Sequence, residues 1–192
     1  MRSCKAARKT RETDIRVRLN LDGTGTVHSL SGNGFFDHMI MSMGKHSGYD
    51  IFVECSGDTE VDFHHSAEDI GIVLGQAFAE CVKDKTGFKR FGTAYTPMDE
   101  ALVMAAADLS GRPFLVYNAE LPTERVGSFE TELAEEFFRA FAMNACITLH
   151  INMLYGKNSH HILEAMFKSV GRALADSTDI IGDTLLTTKG VL

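Results

Sequence analysis

Apolar residues along this chain follow two rhythms, one of period two and one near 3.6. Ile15, Val17 and Leu19 alternate with charged residues, the pattern of a half-buried strand. A second strand is predicted from Gly25 to Leu30, with Asp22-Gly23 as the turn between the two. Phe35 to Lys45 is apolar at helical spacing and stops near Gly44 and Gly48. Ile51 to Cys55 reads as a short strand, and Ser66 to Lys83 as a long amphipathic helix ending before Gly87. Further on, Ala101 to Leu109 and Phe114 to Asn118 are predicted strands joined by Ser110-Gly111-Arg112-Pro113. Phe129 to Ala145 is predicted helical, Ile147 to Leu154 a strand and Ile162 to Ala175 a helix. Each half therefore runs strand, strand, helix, strand, helix.

Residue identities extend this parallel into a duplication. His64, His65 and Glu68 recur 96 positions later as His160, His161 and Glu164. The same offset carries Gly75-Gln76-Ala77-Phe78-Ala79-Glu80 onto Gly171-Arg172-Ala173-Leu174-Ala175-Asp176. Phe35-Phe36 and Phe137-Phe138 also look equivalent, at a different offset. Residues 1–92 and 93–192 are read as two structural repeats. Each has too few strands to bury a core alone, so the expected fold is one compact α+β unit with sheets packed on helices and an approximate internal twofold.

The chain has 192 residues and a net charge of −7, which argues against a general nucleic-acid binder. Its amino end is locally basic, with Arg2, Lys5, Arg8, Lys9, Arg11, Arg16 and Arg18. That cluster reads as a solvated tail running into an edge strand, or else as a contact for an acidic neighbour. Cys4, Cys55, Cys81 and Cys146 are too scattered for a metal knuckle or redox pair, so reduced thiols in the cytoplasm are expected. No apolar run approaches the roughly 20 residues that span a bilayer, and no membrane association is expected.

Candidate chemistry lies in the eight histidines. His64 and Glu68 share one helical face, as do His160 and Glu164, so each couple can reach one cation. The adjacent histidines point about 100° away and reach a second ion more easily. The expected arrangement gives one ion His64, Glu68 and His161, and the other His160, Glu164 and His65, exchanged by the twofold. His38 and His150 supply one further ligand each. This donor set suits Mn, Fe, Co or Zn. A single His pair at a helix start is usually a cap or a surface feature; its repetition favours metal. His28 reads as an ordinary strand residue. His46 lies eight residues beyond His38 and is read as ligand, substrate contact or packing.

Several longer stretches resemble imidazoleglycerol-phosphate dehydratases: Phe36-Asp37-His38-Met39, Asp62-Phe63-His64-His65-Ser66-Ala67-Glu68-Asp69, Pro97-Met98-Asp99-Glu100-Ala101, Asp108-Leu109-Ser110-Gly111-Arg112-Pro113 and Asn158-Ser159-His160-His161-Ile162-Leu163-Glu164-Ala165. The likeness runs from Arg8 to Gly190, without an appended phosphatase domain. It implies a cytoplasmic enzyme with two Mn2+ per site that converts D-erythro-imidazoleglycerol phosphate to imidazoleacetol phosphate. It also implies a homo-oligomeric shell of 24 subunits with sites between them. The eight ligands would be His38, His64, His65, Glu68, His150, His160, His161 and Glu164. Glu12, Arg90, Arg112, Lys168, Thr188 and Lys189 would surround the substrate.

The chemistry is consistent with two cations. The proton to be lost has no adjacent carbonyl to acidify it. Cations on both ring nitrogens would hold the ring as imidazolate, which expels the hydroxyl through a diazafulvene-like intermediate. Glu12 is the candidate base or proton shuttle, with a solvent-facing charge as its alternative. Arg90, Arg112 and Lys189 suit the phosphate, since guanidinium forks bind two oxygens at once. A ferritin-like di-iron oxidase also pairs His and Glu on helices, but here His precedes Glu and strands precede each helix. A metal-storage shell would need no cations for a phosphate.

Overall fold

The computed structural model describes residues 2–190. The first half contains β1 (Ser3–Lys9), β2 (Thr13–Asn20), β3 (Val27–Leu30), α1 (Gly34–Ser47), β4 (Asp50–Gly57) and α2 (His64–Cys81). The second contains β5 (Phe91–Met98), β6 (Ala101–Asp108), β7 (Phe114–Asn118), a small hairpin of β8 (Arg125–Val126) and β9 (Phe129–Glu130), α3 (Leu133–Ala145), β10 (Thr148–Tyr155) and α4 (Ser159–Ser177). The sheets have orders β1-β2-β4-β3 and β5-β6-β10-β7. In both, the last strand alone runs parallel to its neighbour. The expected duplicated α+β fold is observed, with one topology used twice.

Each four-stranded sheet carries one strand more than hydropathy marks, and the second half adds the β8–β9 hairpin. β1 offers only Cys4 and Ala6 to the core, between exposed Lys5, Ala7 and Arg8. The inward positions of β5 are Gly92, Ala94 and Thr96, too small to register as an apolar rhythm. Their smallness has a cause, since a Cβ on Gly92 would strike the Ala173 carbonyl of α4. The second repeat opens at Phe91, so a boundary at 92 lies inside β5.

The predicted turns do not make hairpins. β4 lies between β2 and β3, and β10 between β6 and β7. The connection after Asp22-Gly23 is held instead by Asp50, whose Oδ1 accepts from the Thr24 and Thr26 amides, each at 2.9 Å. Phe129 belongs to β9 rather than to α3, and it is fully buried against Phe35 and Phe36. The basic amino end is an edge strand whose acidic neighbours are in the chain itself. Arg2 binds Asp22, Arg8 binds Asp69 at 3.0 Å and Lys9 binds Asp14 at 2.8 Å. His28 stacks on Phe52, as expected of an ordinary strand residue. All four cysteines are free. Among the described residues no helix is long and apolar enough to cross a membrane.

Each sheet covers its own helices, and the helices of the two halves meet in the middle, α2 on α3 and α1 on α4. Phe36, Phe137, Phe138 and Phe167 fill this centre, with Phe138 and Phe167 centroids 4.6 Å apart. Glycine lets the helices approach closely. A Cβ on Gly75 would lie 2.6 Å from the Phe141 carbonyl oxygen, and one on Gly71 would lie 2.6 Å from that of Phe137. Gly171 meets the Met43 carbonyl in the same way. These matched contacts pair Met43 with Phe141, an offset of 141 − 43 = 98. The equivalence of Phe35-Phe36 with Phe137-Phe138 is thereby corrected. The register is set by backbone contact with glycine, not by the aromatic residues.

Gly75→Ala tests this contact. Alanine favours a helix over glycine by about 1 kcal/mol, but overpacking costs typically 1–3 kcal/mol. The chemical-denaturation midpoint should therefore fall. Gly182→Ala, with nothing within 4 Å, should leave it nearly unchanged.

Candidate metal centre

Two asparagine caps aim the histidine-bearing turns. Asn33 caps α1, its side-chain oxygen accepting from the Phe35 and Phe36 amides at 3.2 Å each. Asn158 caps α4, accepting from the His160 and His161 amides at 2.9 and 3.4 Å. Such caps satisfy amides that have no partner inside the helix. With α1 packed on α4, His38 faces His160 and Glu164. Glu164 Oε2 lies 3.3 Å from His160 Nε2 and 3.5 Å from His38 Nε2. The three donor atoms all lie within 4.8 Å of one another. Lys168 Nζ holds the other oxygen of Glu164 at 2.6 Å. Burial opposes ionisation of Glu164, but the Lys168 hydrogen bond and the nearby positive charges outweigh it, holding the carboxyl below its usual range. Two imidazoles and a carboxylate on one point suit a divalent cation with nitrogen and oxygen preference.

The second histidine of each pair turns away. His161 Nδ1 meets Glu100 Oε2 at 2.7 Å, and His65 Nδ1 meets both Asp58 oxygens at 3.1 and 3.2 Å. Each hydrogen bond raises the basicity of its imidazole. Glu100 is pushed down to about 2 by His161 and by the amides of Asn158 and Lys157.

Among the described residues no other trio of possible ligands converges. The arrangement expected from the sequence therefore does not form inside one chain. Of its trios only His160 and Glu164 meet, and His38 completes them in place of His65. His64, Glu68 and His161 do not gather on one point. His150 alternates with buried Leu149 and Ile151 on β10, so its side chain is on the far side of the sheet from the helices.

The proposed substrate contacts also separate. His46 is exposed on α1. Its basicity is lowered by partial desolvation and then by the charges of Lys168 and Arg172. Glu12 is exposed in the β1–β2 turn; its carbonyl accepts from the Asp58 amide at 3.1 Å, and its charge acts on His65. Arg90, Arg112, Thr188 and Lys189 line an open groove of about 450 Å³ with Leu185, Leu186 and Thr187. Arg90 takes a left-handed backbone conformation at φ 72° and is anchored on Asp108 at 2.8 Å. Arg112 reaches Asp108 only at 3.9 Å and is 64% exposed, so its fork is available to an anion. Lys168 stands apart from this groove, beside Glu164.

Sequence reasoning missed Asp58, Glu100 and Asp108 as partners. A signal existed for Glu100, since it immediately precedes β6 as Glu12 immediately precedes β2.

The sequence profile of imidazoleglycerol-phosphate dehydratases matches residues 31–174. The imidazoleglycerol-phosphate dehydratase of Acetivibrio thermocellus is 53% identical over 193 residues, covering 100% of this chain and 99% of its own. That of Thermoanaerobacter pseudethanolicus is 54% identical, with 100% of both chains covered. The crystal structure of the Staphylococcus aureus dehydratase superposes with a TM-score of 0.84 at 43% identity, covering 93% of this chain and 99% of that one. The Pyrococcus furiosus structure gives 0.83 at 35% identity, covering 97% and 99%.

If the convergent trio holds a cation, His38→Ala and Glu164→Gln should each lower the divalent metal retained per chain after dialysis against Mn2+. His28→Ala should not. Elemental analysis reads this directly, and unchanged metal in both site variants would overturn the assignment.

Proposed function

The chain belongs to the imidazoleglycerol-phosphate dehydratase family, hydro-lyases that dehydrate imidazoleglycerol phosphate in histidine biosynthesis, and from that premise we propose a metal-dependent reaction at the His38–His160–Glu164 centre. The substrate would be D-erythro-imidazoleglycerol phosphate, and the products imidazoleacetol phosphate and water. The observation that carries the metal reading is the convergence of two imidazole nitrogens and one carboxylate oxygen within 4.8 Å.

Two divalent ions, manganese on this reading, would be held by His38, His64, His65, Glu68, His150, His160, His161 and Glu164. They would supply Lewis acidity and a template for the imidazole ring. The chain's own groups do the rest. Arg90, Arg112, Thr188 and Lys189 grip the phosphate, while His46 and Lys168 line the approach between α1 and α4. Glu12 would accept the proton from the carbon beside the one that loses hydroxide and relay it to that hydroxide, which leaves as water, and the resulting enol becomes the ketone.

A homo-oligomer follows from the same proposal. His150 lies on the outer sheet face, where only another copy can bring it to a helix-borne ligand. Phe91, Tyr95 and Phe114 in the same sheet are 55, 56 and 59% exposed, an apolar surface suited to self-association. A shell of 24 subunits with shared sites, in the cytoplasm, is the assembly we propose. A metal-storage shell gives no reason for the Arg90–Arg112–Lys189 groove, which favours the enzyme.

Chelation should abolish turnover and lower the sedimentation coefficient together, with both restored by Mn2+, because unneutralised ligand clusters disfavour assembly. Full activity after verified removal of all metal would sink the proposal. Arg112→Ala should raise KM about 10- to 100-fold, the effect of losing a charged hydrogen bond, with metal content unchanged. Steady-state kinetics beside metal analysis separates this from a ligand variant. A KM equal to the parent's would remove Arg112 from the phosphate site.

A further inference from the structure

We propose that Glu100 is a positioning residue that fixes His161 with its proton on Nδ1, so that Nε2 is presented as a metal donor. This rests on the metal-centre reading above. β5 and β6 pair Met98 with Ala101, leaving Asp99-Glu100 as a two-residue turn in which Asp99 is left-handed at φ 48°. That turn aims Glu100 at the start of α4. Glu100 Oε1 accepts from the Lys157 and Asn158 amides at 3.1 and 2.7 Å, and Oε2 meets His161 Nδ1 at 2.7 Å. One carboxylate therefore grips both the cap of α4 and the imidazole just inside it.

A neutral imidazole has one N–H and one lone pair, and the carboxylate is satisfied only by the N–H. Accepting at Nδ1 leaves the lone pair on Nε2 and stops the ring from rotating. Partners of this kind set both tautomer and orientation in metal sites. The Asp99 carboxylate lies 3.7 Å from His161 Nε2, beyond hydrogen-bond reach, so that nitrogen stays open to a cation. The first half achieves the same result by a different route. There Asp58, from the connection between β4 and α2, holds His65 Nδ1 at 3.1 Å. Two unrelated loops thus deliver a carboxylate to the same ring nitrogen of equivalent histidines, which incidental surface pairing does not explain.

The test uses the full protein and Mn2+, with free ion measured by electron paramagnetic resonance. Glu100→Gln keeps one oxygen for the Lys157 and Asn158 amides, but its NH2 cannot accept from Nδ1. We expect Mn2+ affinity to fall about 10- to 100-fold, while the metal-free melting temperature stays near the parent's. Adding Glu100→Gln to His161→Ala should cause no further loss, because Glu100 acts through that ring. Asp58→Asn should weaken Mn2+ binding similarly, through His65. A parent that binds Mn2+ and a Glu100→Gln variant that binds it equally well would overturn this inference alone. So would additive losses in the double variant. A parent that binds no Mn2+ would overturn the metal reading and this inference with it.

Discussion

The backbone contact between α1 and α4 at Gly171 sets the spacing of the candidate metal centre. Any side chain at Gly171 would meet the Met43 carbonyl, so the two helices lie closer than side-chain packing would allow. His38 is five residues before Met43, and Glu164 is seven before Gly171. Both therefore lie within about two turns of the crossing, on the side where the helices face each other. Moving the helices apart by the width of a methyl group would open the gap between His38 and Glu164, now 3.5 Å. The core and the site share this one constraint.

The other helix pair is built alike but ends differently. Gly71 and Gly75 bring α2 against α3 as closely as Gly171 brings α4 against α1. Carrying the offset of 98 back from Phe141 places Glu136 at the position of His38. Glu136 faces Arg139 at 3.6 Å, and no convergent trio forms at the start of α2. The duplication preserves topology and helix contact, yet the α1–α4 crossing gathers a trio within the chain while the α2–α3 crossing leaves His64, His65 and Glu68 without one. That asymmetry fits the proposal that a neighbouring copy completes the site.

What the sequence disclosed follows from which forces leave periodic marks. β2, α2 and α4 bury one face of large side chains, so their rhythm was legible. The 96-residue offset was legible because it joins His64-His65 and Gly75 to His160-His161 and Gly171, all fixed by geometry. β1 and β5 were not, because their inner faces are small where a helix lies close. Sheet order was not either, since the turn at Asp22-Gly23 looks the same whether or not β4 slips between the strands it joins. The site was half legible. His160 with Glu164 depends on spacing along one helix, whereas the addition of His38 depends on how two helices cross. The direction of His150 needed its strand placed in a sheet, and the roles of Asp58 and Glu100 needed the turns that aim them.

Charge balance relates the candidate metal centre to the groove proposed for the phosphate. Glu164 carries one negative charge, and Lys168, 2.6 Å away, offsets it. The Glu164–Lys168 pair therefore sums to about zero. A divalent cation held beside that pair would leave a net charge near +2, attractive to a phosphate ester. Arg90, paired with Asp108 at 2.8 Å, would offer the phosphate donors from a fixed position rather than net charge. Arg112 and Lys189, exposed at the same groove, would carry the charge that an incoming anion meets first. On the proposed function, this division would give the ring and the phosphate separate holds, so that neither hold must also supply the other's charge.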